Sequence, residues 1–400
     1  GGTWTSQNKV QPGVYINTRS RGNLGVSIGE KGVVAIAEPL SWGPSGVIQE
    51  IIPGEDLKPF TGYDVTSPKT LFLREMMKGS DSTPGPIKVL LYRPAGSGGA
   101  KAAATVEGLT ATAQYEGIRG NDITVIVQAD PDKGDVFDVI TVIDGSVVDE
   151  QAVKTIEELK ENAWVKFTGT GAPAETAGQA LEGGKDPEVS PSDYAQFLTV
   201  LEPYTFDILV YDGTDATMQA MASFVKRVSE NVGLKCQAVM AGAETSNSEW
   251  VISVNNGVKL SDGTELSPQQ ATWWLGGAEA GARYNESLTY ARYPDAIEAF
   301  PKKKDTEISE AIQKGEIVFI DNFGTVKVCT DINTLTSFSV DKGQEYSKNR
   351  VMRVLNQFCN DVYRQFSLYY IGKVDNNETG RGLLKGWIVG YLNEMQANGG

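Results

Sequence analysis

Carboxylates are the side chains best placed to do chemistry in this sequence, and Asp207, Asp212 and Asp215 gather around the apolar run Ile208-Leu209-Val210-Tyr211. Two carboxylates at a working separation serve as the acid and the base or nucleophile of a glycosidase. With 51 Asp and Glu in 400 residues, such a cluster also arises by chance, so catalysis here is the minor expectation. Gly25-Val26-Ser27-Ile28-Gly29 spells the GxSxG nucleophile elbow. Its serine needs a base, and the chain has no histidine. That absence removes Ser-His-Asp and Cys-His pairs, histidine zinc sites and imidazole acid-base chemistry, and leaves a loop before a strand. Asp130-Pro131-Asp132-Lys133-Gly134-Asp135 has part of a calcium-loop pattern. Gly134 and Asp135 are in the wrong order for one, and Thr141 stands where the closing glutamate belongs, so a solvated hairpin turn is expected.

Cys236, Cys329 and Cys359 are widely spaced among apolar neighbours and read as three small buried hydrophobes. There is no GxxxxGK[ST] loop and no GxGxxG after a strand, and Gly96 to Gly99 leads into a linker instead of a helix. Neither a cofactor, a metal nor nucleotide-driven work is expected. The net charge of -15 argues against nucleic acid as a partner, because phosphate neutralisation needs a basic face. No apolar run approaches the roughly 18 residues of a membrane span, and nothing at the N-terminus resembles a signal peptide, so synthesis and folding in a cytoplasm are expected without membrane insertion.

The elements that would position these groups read as an α/β core: a mixed sheet flanked by helices, with an inserted β-rich domain and an extended N-terminal strand-forming arm. Val33 to Ala37 is a buried strand, Ser67-Pro68 caps a helix to Lys78, and Ile87 to Tyr92 is the next strand. Glycine-rich linkers set the boundaries, giving an arm at 1–19, a first core part at 20–97, the insertion at 98–188 and a second core part at 189–400. Within the insertion, Ile123 to Ala129, Val136 to Ile143 and Trp164 to Thr168 are strands, with one helix near Val153 to Glu161. Alternation resumes with helices at Asp193 to Leu201 and Ala216 to Val232, and strands at Asp207 to Tyr211 and Cys236 to Met240. Ser267-Pro268-Gln269-Gln270 is a capping box opening the helix of Trp273 and Trp274, which read as core or domain-contact residues. Glu316 to Ile320 and Thr325 to Thr330 form a hairpin joined by Asp321-Asn322-Phe323-Gly324, where Asn and Gly tolerate positive φ. Helices at about Ser347 to Ile371 and about Glu378 to Gln396 end the chain.

Two surfaces suggest partners. Val14, Tyr15 and Ile16 fit a pleated strand behind Pro12, but the polar stretch around them offers nothing to pair with. The arm must return to its own domain or enter another subunit. In the first C-terminal helix Val351, Val354, Leu355, Phe358, Val362 and Phe366 share one face. At roughly 100° per residue Arg350, Arg353 and Arg364 lie within about 60° of each other on the other side, near Lys348. That side reads either as a solvated face beside Asp361 or as a docking stripe for an acidic partner.

Pro12-Gly13-Val14-Tyr15-Ile16, the turn Tyr115-Glu116-Gly117-Ile118-Arg119-Gly120-Asn121-Asp122 and the run Val328-Cys329-Thr330-Asp331-Ile332-Asn333-Thr334-Leu335-Thr336 together resemble contractile phage tail sheath proteins. The likeness is to the sheaths of myophage-type tails and defective prophage particles of Gram-positive bacteria. It implies a non-enzymatic subunit of a virion tail, assembled in the bacterial cytoplasm. Such subunits stack as hexameric rings around an inner tail tube between baseplate and tail terminator proteins, and contraction drives the tube through a cell envelope. It also implies that Val14, Tyr15 and Ile16 add a strand to a neighbouring copy, and that Lys348, Arg350, Arg353 and Arg364 face the tube. Sheaths of this kind continue into a C-terminal strand-forming extension beyond the Asn398-Gly399-Gly400 at which this sequence stops, so that half of the clasp is expected to be disordered or removed. The alternatives are a carbohydrate-active enzyme with paired carboxylates, and a monomeric surface-binding module that keeps its arm.

Overall fold

The computed structural model describes residues 31–213 and 216–399. Val14, Tyr15 and Ile16, the Gly25 to Gly29 run and Asp215 lie outside them. Strand β1 (Val33–Ala37) is followed by β2 (Ile48–Ile51), the short helices α1 (Lys58–Thr61) and α2 (Leu71–Met77), and β3 (Lys88–Tyr92). Seven strands come next: β4 (Lys101–Val106), β5 (Leu109–Glu116), β6 (Ile123–Ala129), β7 (Phe137–Ile143), β8 (Ser146–Val153), β9 (Val165–Gly169) and β10 (Thr176–Ala180). The chain then forms α3 (Pro191–Leu201), β11 (Ile208–Val210), α4 (Thr217–Arg227), β12 (Gln237–Ala241), β13 (Val251–Val254), β14 (Gly257–Leu260), β15 (Glu265–Leu266) and α5 (Pro268–Gly281). Last come β16 (Ala296–Phe300), α6 (Asp305–Gln313), β17 (Glu316–Ile317), β18 (Phe319–Asn322), β19 (Thr325–Val328), α7 (Asn349–Tyr369) and α8 (Glu378–Ala397).

Strands from before and after residues 101–180 join in one seven-stranded sheet, ordered β17-β13-β12-β11-β1-β3-β2. All neighbours are parallel except the edge pair β2 and β3. Runs such as Val33-Val34-Ala35-Ile36-Ala37 are apolar at every position because helices cover both faces. Residues of α2 and α5 close one face, and residues of α3 and α4 the other. Helix α5 lies close enough that a Cβ at Gly277 would fall 1.8 Å from the Met76 carbonyl oxygen, so only glycine fits there. The Ser267–Gln270 capping box forms as expected. Trp274 is fully buried, stacks on Tyr293 at 4.1 Å and donates its indole N–H to Gly79 O at 2.7 Å.

Strands β4-β5-β9 and β10-β6-β7-β8 form two sheets whose inward side chains, among them Leu109, Ala111, Val125, Val139 and Phe167, share one core. Ser97, Ala100 and Ala103 bridge Glu188, Lys185 and Glu182, so the chain reaches and leaves this sandwich as a paired ribbon. Asp130 to Asp135 is the β6–β7 hairpin turn, closed by Asp130 N–H donating to Val136 O at 2.9 Å. The helix expected at Val153 to Glu161 is replaced by the end of β8 and a single 3-10 turn, Ile156–Glu158. Pairing of Val153 with Phe137 extends β8 through the start of that segment and overrides its helical propensity.

Among the described residues, contacts divide the chain into one unit ending at Tyr363 and another beginning at Arg364. In the second unit Phe366 and Tyr370 stack at 5.9 Å, and Asn377 caps α8 by accepting from Gly380 N–H at 2.9 Å.

Candidate assembly site

The run Val328 to Thr336 leaves β19 as a strap between β13 and the start of α7. Thr334 N–H donates to Val251 O at 2.9 Å, Asn333 N–H to Ser347 O at 3.0 Å, and the Asn333 side-chain amide to Tyr346 O at 2.8 Å. This seats α7 with Asn349, Met352, Arg353, Asn356, Gln357 and Asp361 inward. The apolar stripe read from the sequence is therefore not the buried face: Val351, Val354, Leu355, Phe358 and Val362 are half-buried and Phe366 is exposed. Hydrogen bonds set the orientation. Asn360 accepts from Lys235 N–H at 2.7 Å and donates to Lys235 O at 2.9 Å.

At the centre Arg353, fully buried, donates to Asp331 through both terminal nitrogens and lies 3.5 Å from Glu279 Oε2. Asn349 joins the group, donating to Ile332 O at 3.0 Å and to Glu279 Oε1 at 3.3 Å. Burial alone would raise Asp331, but the Arg353 guanidinium holds its carboxyl below the ordinary range. Burial, reinforced by the charge of Asp331, pushes Glu279 up to about 8. Burial brings Lys31 down to about 8 against the pull of Asp207. At neutral pH Glu279 is therefore mainly protonated, which relieves a crowd of buried carboxylates.

Arg353 is corrected from a surface contact to a core anchor, since the sector that holds it and Arg350 straddles the edge of the buried face. Lys348 and Arg350 are exposed at the start of α7, Arg350 Nε donating to Asn285 O at 3.3 Å, and Arg364 is exposed in the second unit. Asp331, Glu279 and Asn349 were not anticipated. The signal was present for Glu279, a lone acid within Trp273-Trp274-Leu275-Gly276-Gly277-Ala278-Glu279-Ala280, where an unpaired charge would be costly.

Among the described residues, Asp207 and Asp212 do not form a glycosidase pair. Asp207 and Asp212 sit at opposite ends of β11, roughly 16 Å apart at about 3.3 Å per residue, beyond the roughly 9.5 Å limit for that chemistry. Asp207 is occupied by the N–H groups of Gly32 and Val33 at 2.8 and 2.9 Å. Asp212 instead meets Glu38 past the end of β1 and accepts the Trp273 indole N–H at 3.0 Å. Burial, then the neighbouring Asp212 charge, raises Glu38 well above its ordinary value. Cys236 is buried, its thiol pushed to about 12 by burial, whereas Cys329 and Cys359 are only half-buried.

The Tyr115 to Asp122 turn joins the sandwich to the sheet. Arg119, 2% exposed, donates Nε to Gly62 O at 2.9 Å and Nη1 to Asp122 and Asp144 at 2.9 and 2.8 Å. Its guanidinium lies 4.2 Å from the Tyr63 ring centre. Gly117, at φ 131°, is required because a Cβ would fall 2.0 Å from Ser41 O. Trp42 fills the joint against Tyr115 and Trp164, with ring centres 5.2 and 4.8 Å away. Arg93 ties the same joint, donating to Leu40 O at 2.8 Å and Glu116 O at 2.7 Å.

Comparison with known proteins follows these boundaries. Residues 31–93 match the tail sheath protein Gp18 domain III N-terminal region, and 97–186 the phage tail sheath protein beta-sandwich domain. Residues 188–334 match the phage tail sheath protein central domain, and 341–400 the phage tail sheath C-terminal domain. The phage-like element PBSX protein XkdK of Bacillus subtilis is 35% identical, over 100% of this chain and 90% of its own length. A sheath tail protein of Desulfitobacterium hafniense is 41% identical with a TM-score of 0.88, covering 96% of this chain and 89% of that one. A sheath tail protein of Listeria innocua is 33% identical at a TM-score of 0.79, covering 93% and 86%. The helical sheath of the anti-feeding prophage in its contracted state, 14% identical at 0.56 over 97% and 84%, shares the fold. With matches running through sheet, sandwich and C-terminal helices, the chain belongs to the phage tail sheath family and is a structural subunit of a contractile tail sheath of the Gram-positive prophage type.

Proposed function

We propose that copies of this chain stack as hexameric rings around an inner tail tube, between baseplate and terminator proteins, and shorten to drive the tube through a cell envelope. The observation that carries this reading is the apolar surface of the C-terminal unit. Phe366, Leu368, Tyr369, Ile371, Leu383, Val389 and Leu392 are exposed there, 7 of the 22 exposed large hydrophobics among the described residues, on the end of α7, the turn after it and α8. Surface of that kind is covered in an assembly. Neighbouring copies supply the cover, and the arm strand of Val14, Tyr15 and Ile16 adds to a neighbour's sheet.

The work is mechanical: the energy lies in the extended polymer, and no cofactor or catalytic step is used. Assembly takes place in the host cytoplasm, on a tube contacted by Lys348, Arg350 and Arg364. Charge reversal tests that contact. Lys348→Glu, Arg350→Glu and Arg364→Glu together should leave the melting temperature unchanged and weaken co-sedimentation with tube protein about tenfold or more. Undiminished binding removes the tube-facing assignment.

A further inference from the structure

The β18–β19 hairpin carries a residue that the fold does not use. Its two-residue turn is Phe323-Gly324, with φ 47° and 77°, the type I′ form whose first position favours Asn, Asp or Gly. Asn322, the residue expected to turn the chain, is instead the last strand residue and pairs with Thr325. An aromatic residue at positive φ is strained by its Cβ. Phe323 gains no packing in return: it is 102% exposed, and a Cβ at Gly324 would meet nothing within 4 Å. A ring that is strained and fully wetted is accounted for by a contact made only on assembly.

Its surroundings define the partner. Strand β16, beside the hairpin, exposes Ile297 and Phe300 and leads through Pro301 to Lys302, Lys303 and Lys304. Lys302 ties this run to the hairpin, 3.3 Å from Glu298 and 3.5 Å from Asp321, and Lys304 is exposed. The hairpin starts just past the carboxyl end of β13, where Phe319 N–H donates to Asn256 Oδ1 at 2.8 Å. Just before the amino end of β13, Asn247 Oδ1 accepts from Thr336 and Ser337 N–H at 2.9 Å each and holds a loop that exposes Phe338 and Val340. Unlike projections near the two ends of one strand suit a heterologous contact, which propagates through identical copies instead of closing a dimer. A copy with a net charge of -15 also supplies acidic surface to the lysines.

We propose that the Phe323 hairpin docks on a second copy of this chain, in a heterologous contact of the polymer. The proposal rests on the sheath reading for the existence of that polymer, not for the site. Phe323→Asn removes the ring and relaxes the turn, so the full-length variant should melt no lower than the unaltered chain while its yield of sedimentable polymer falls about tenfold or more. Phe323→p-benzoylphenylalanine, irradiated in the polymer, should give a product with the mass of two copies. A Phe323→Asn chain that polymerises normally, or photoproducts that lack a two-copy species, overturns the proposal alone. An unaltered chain that never polymerises overturns both this and the sheath reading.

Discussion

Arg353 and Arg350 are three residues apart, yet their removal should have unlike consequences. Arg353→Ala leaves Asp331 buried without its partner, and breaking a buried pair from one side costs about 3–5 kcal/mol. Arg350 is exposed, and its truncation should stay within about 0.5 kcal/mol. Denaturant unfolding of the two variants checks this contrast. The same cluster sets a pH dependence. Glu279 has a folded value of about 8 against an ordinary 4.5, so its contribution to stability is complete below 4.5 and lost as pH rises through 8. Lys31, lowered to about 8 from 10.5, acts in the opposite sense: its contribution is complete above 10.5 and lost as pH falls through 8. Their combined contribution has a minimum around pH 8. Thermal melts from pH 5 to 10 should show that dip, and Glu279→Gln should remove its acidic limb while keeping the rise above 8. Superimposable curves for the two proteins would count against the charge assignment.

At the scale of elements, the sandwich is fastened to the sheet by Arg119, Arg93 and Trp42 rather than by the paired linkers alone. Arg119→Ala should loosen that joint, so that limited proteolysis cuts at 97–103 and 182–188 while the melting of the core sheet changes little. Equal cleavage of variant and unaltered protein would show that the ribbon alone holds the sandwich. The elements that were legible in the sequence are those whose local signals agree with their tertiary setting. Fully buried strands such as Val33 to Ala37 read as continuous apolar runs, and Ser267-Pro268-Gln269-Gln270 set the start of α5 through its own hydrogen bonds. What was illegible depended on remote partners. Val153 to Glu161 has helical composition, but β7 pairs with the strand that runs into its start. Helix α7 turned a polar face inward because Asp331 and Lys235 lay waiting there, which no periodicity reveals. The β18–β19 hairpin was legible, but its turn is Phe323-Gly324 instead of the four residues from Asp321, because Asp321 and Asn322 pair with Val326 and Thr325. Among the site residues, Lys348, Arg350 and Arg364 are exposed and Arg353 is buried, a division that helical spacing, which puts the three arginines in one sector, does not reveal.

For the molecule as a whole, the central claim is that folding and assembly are separable, the sheet and sandwich folding as a body and the proposed arm strand and Phe323 hairpin joining it to other copies. Proline at Val14 and Ile16 tests this most simply, because it removes two N–H donors that the proposed strand addition needs. The double variant should melt like the unaltered protein and fail to grow polymers. The most direct measurement is electron microscopy of the full-length protein, alone and with tube protein. The account predicts tubular polymers with sixfold rings for the unaltered chain and single folded particles for the Val14→Pro, Ile16→Pro chain; monodisperse monomers in every preparation of the unaltered chain would contradict it.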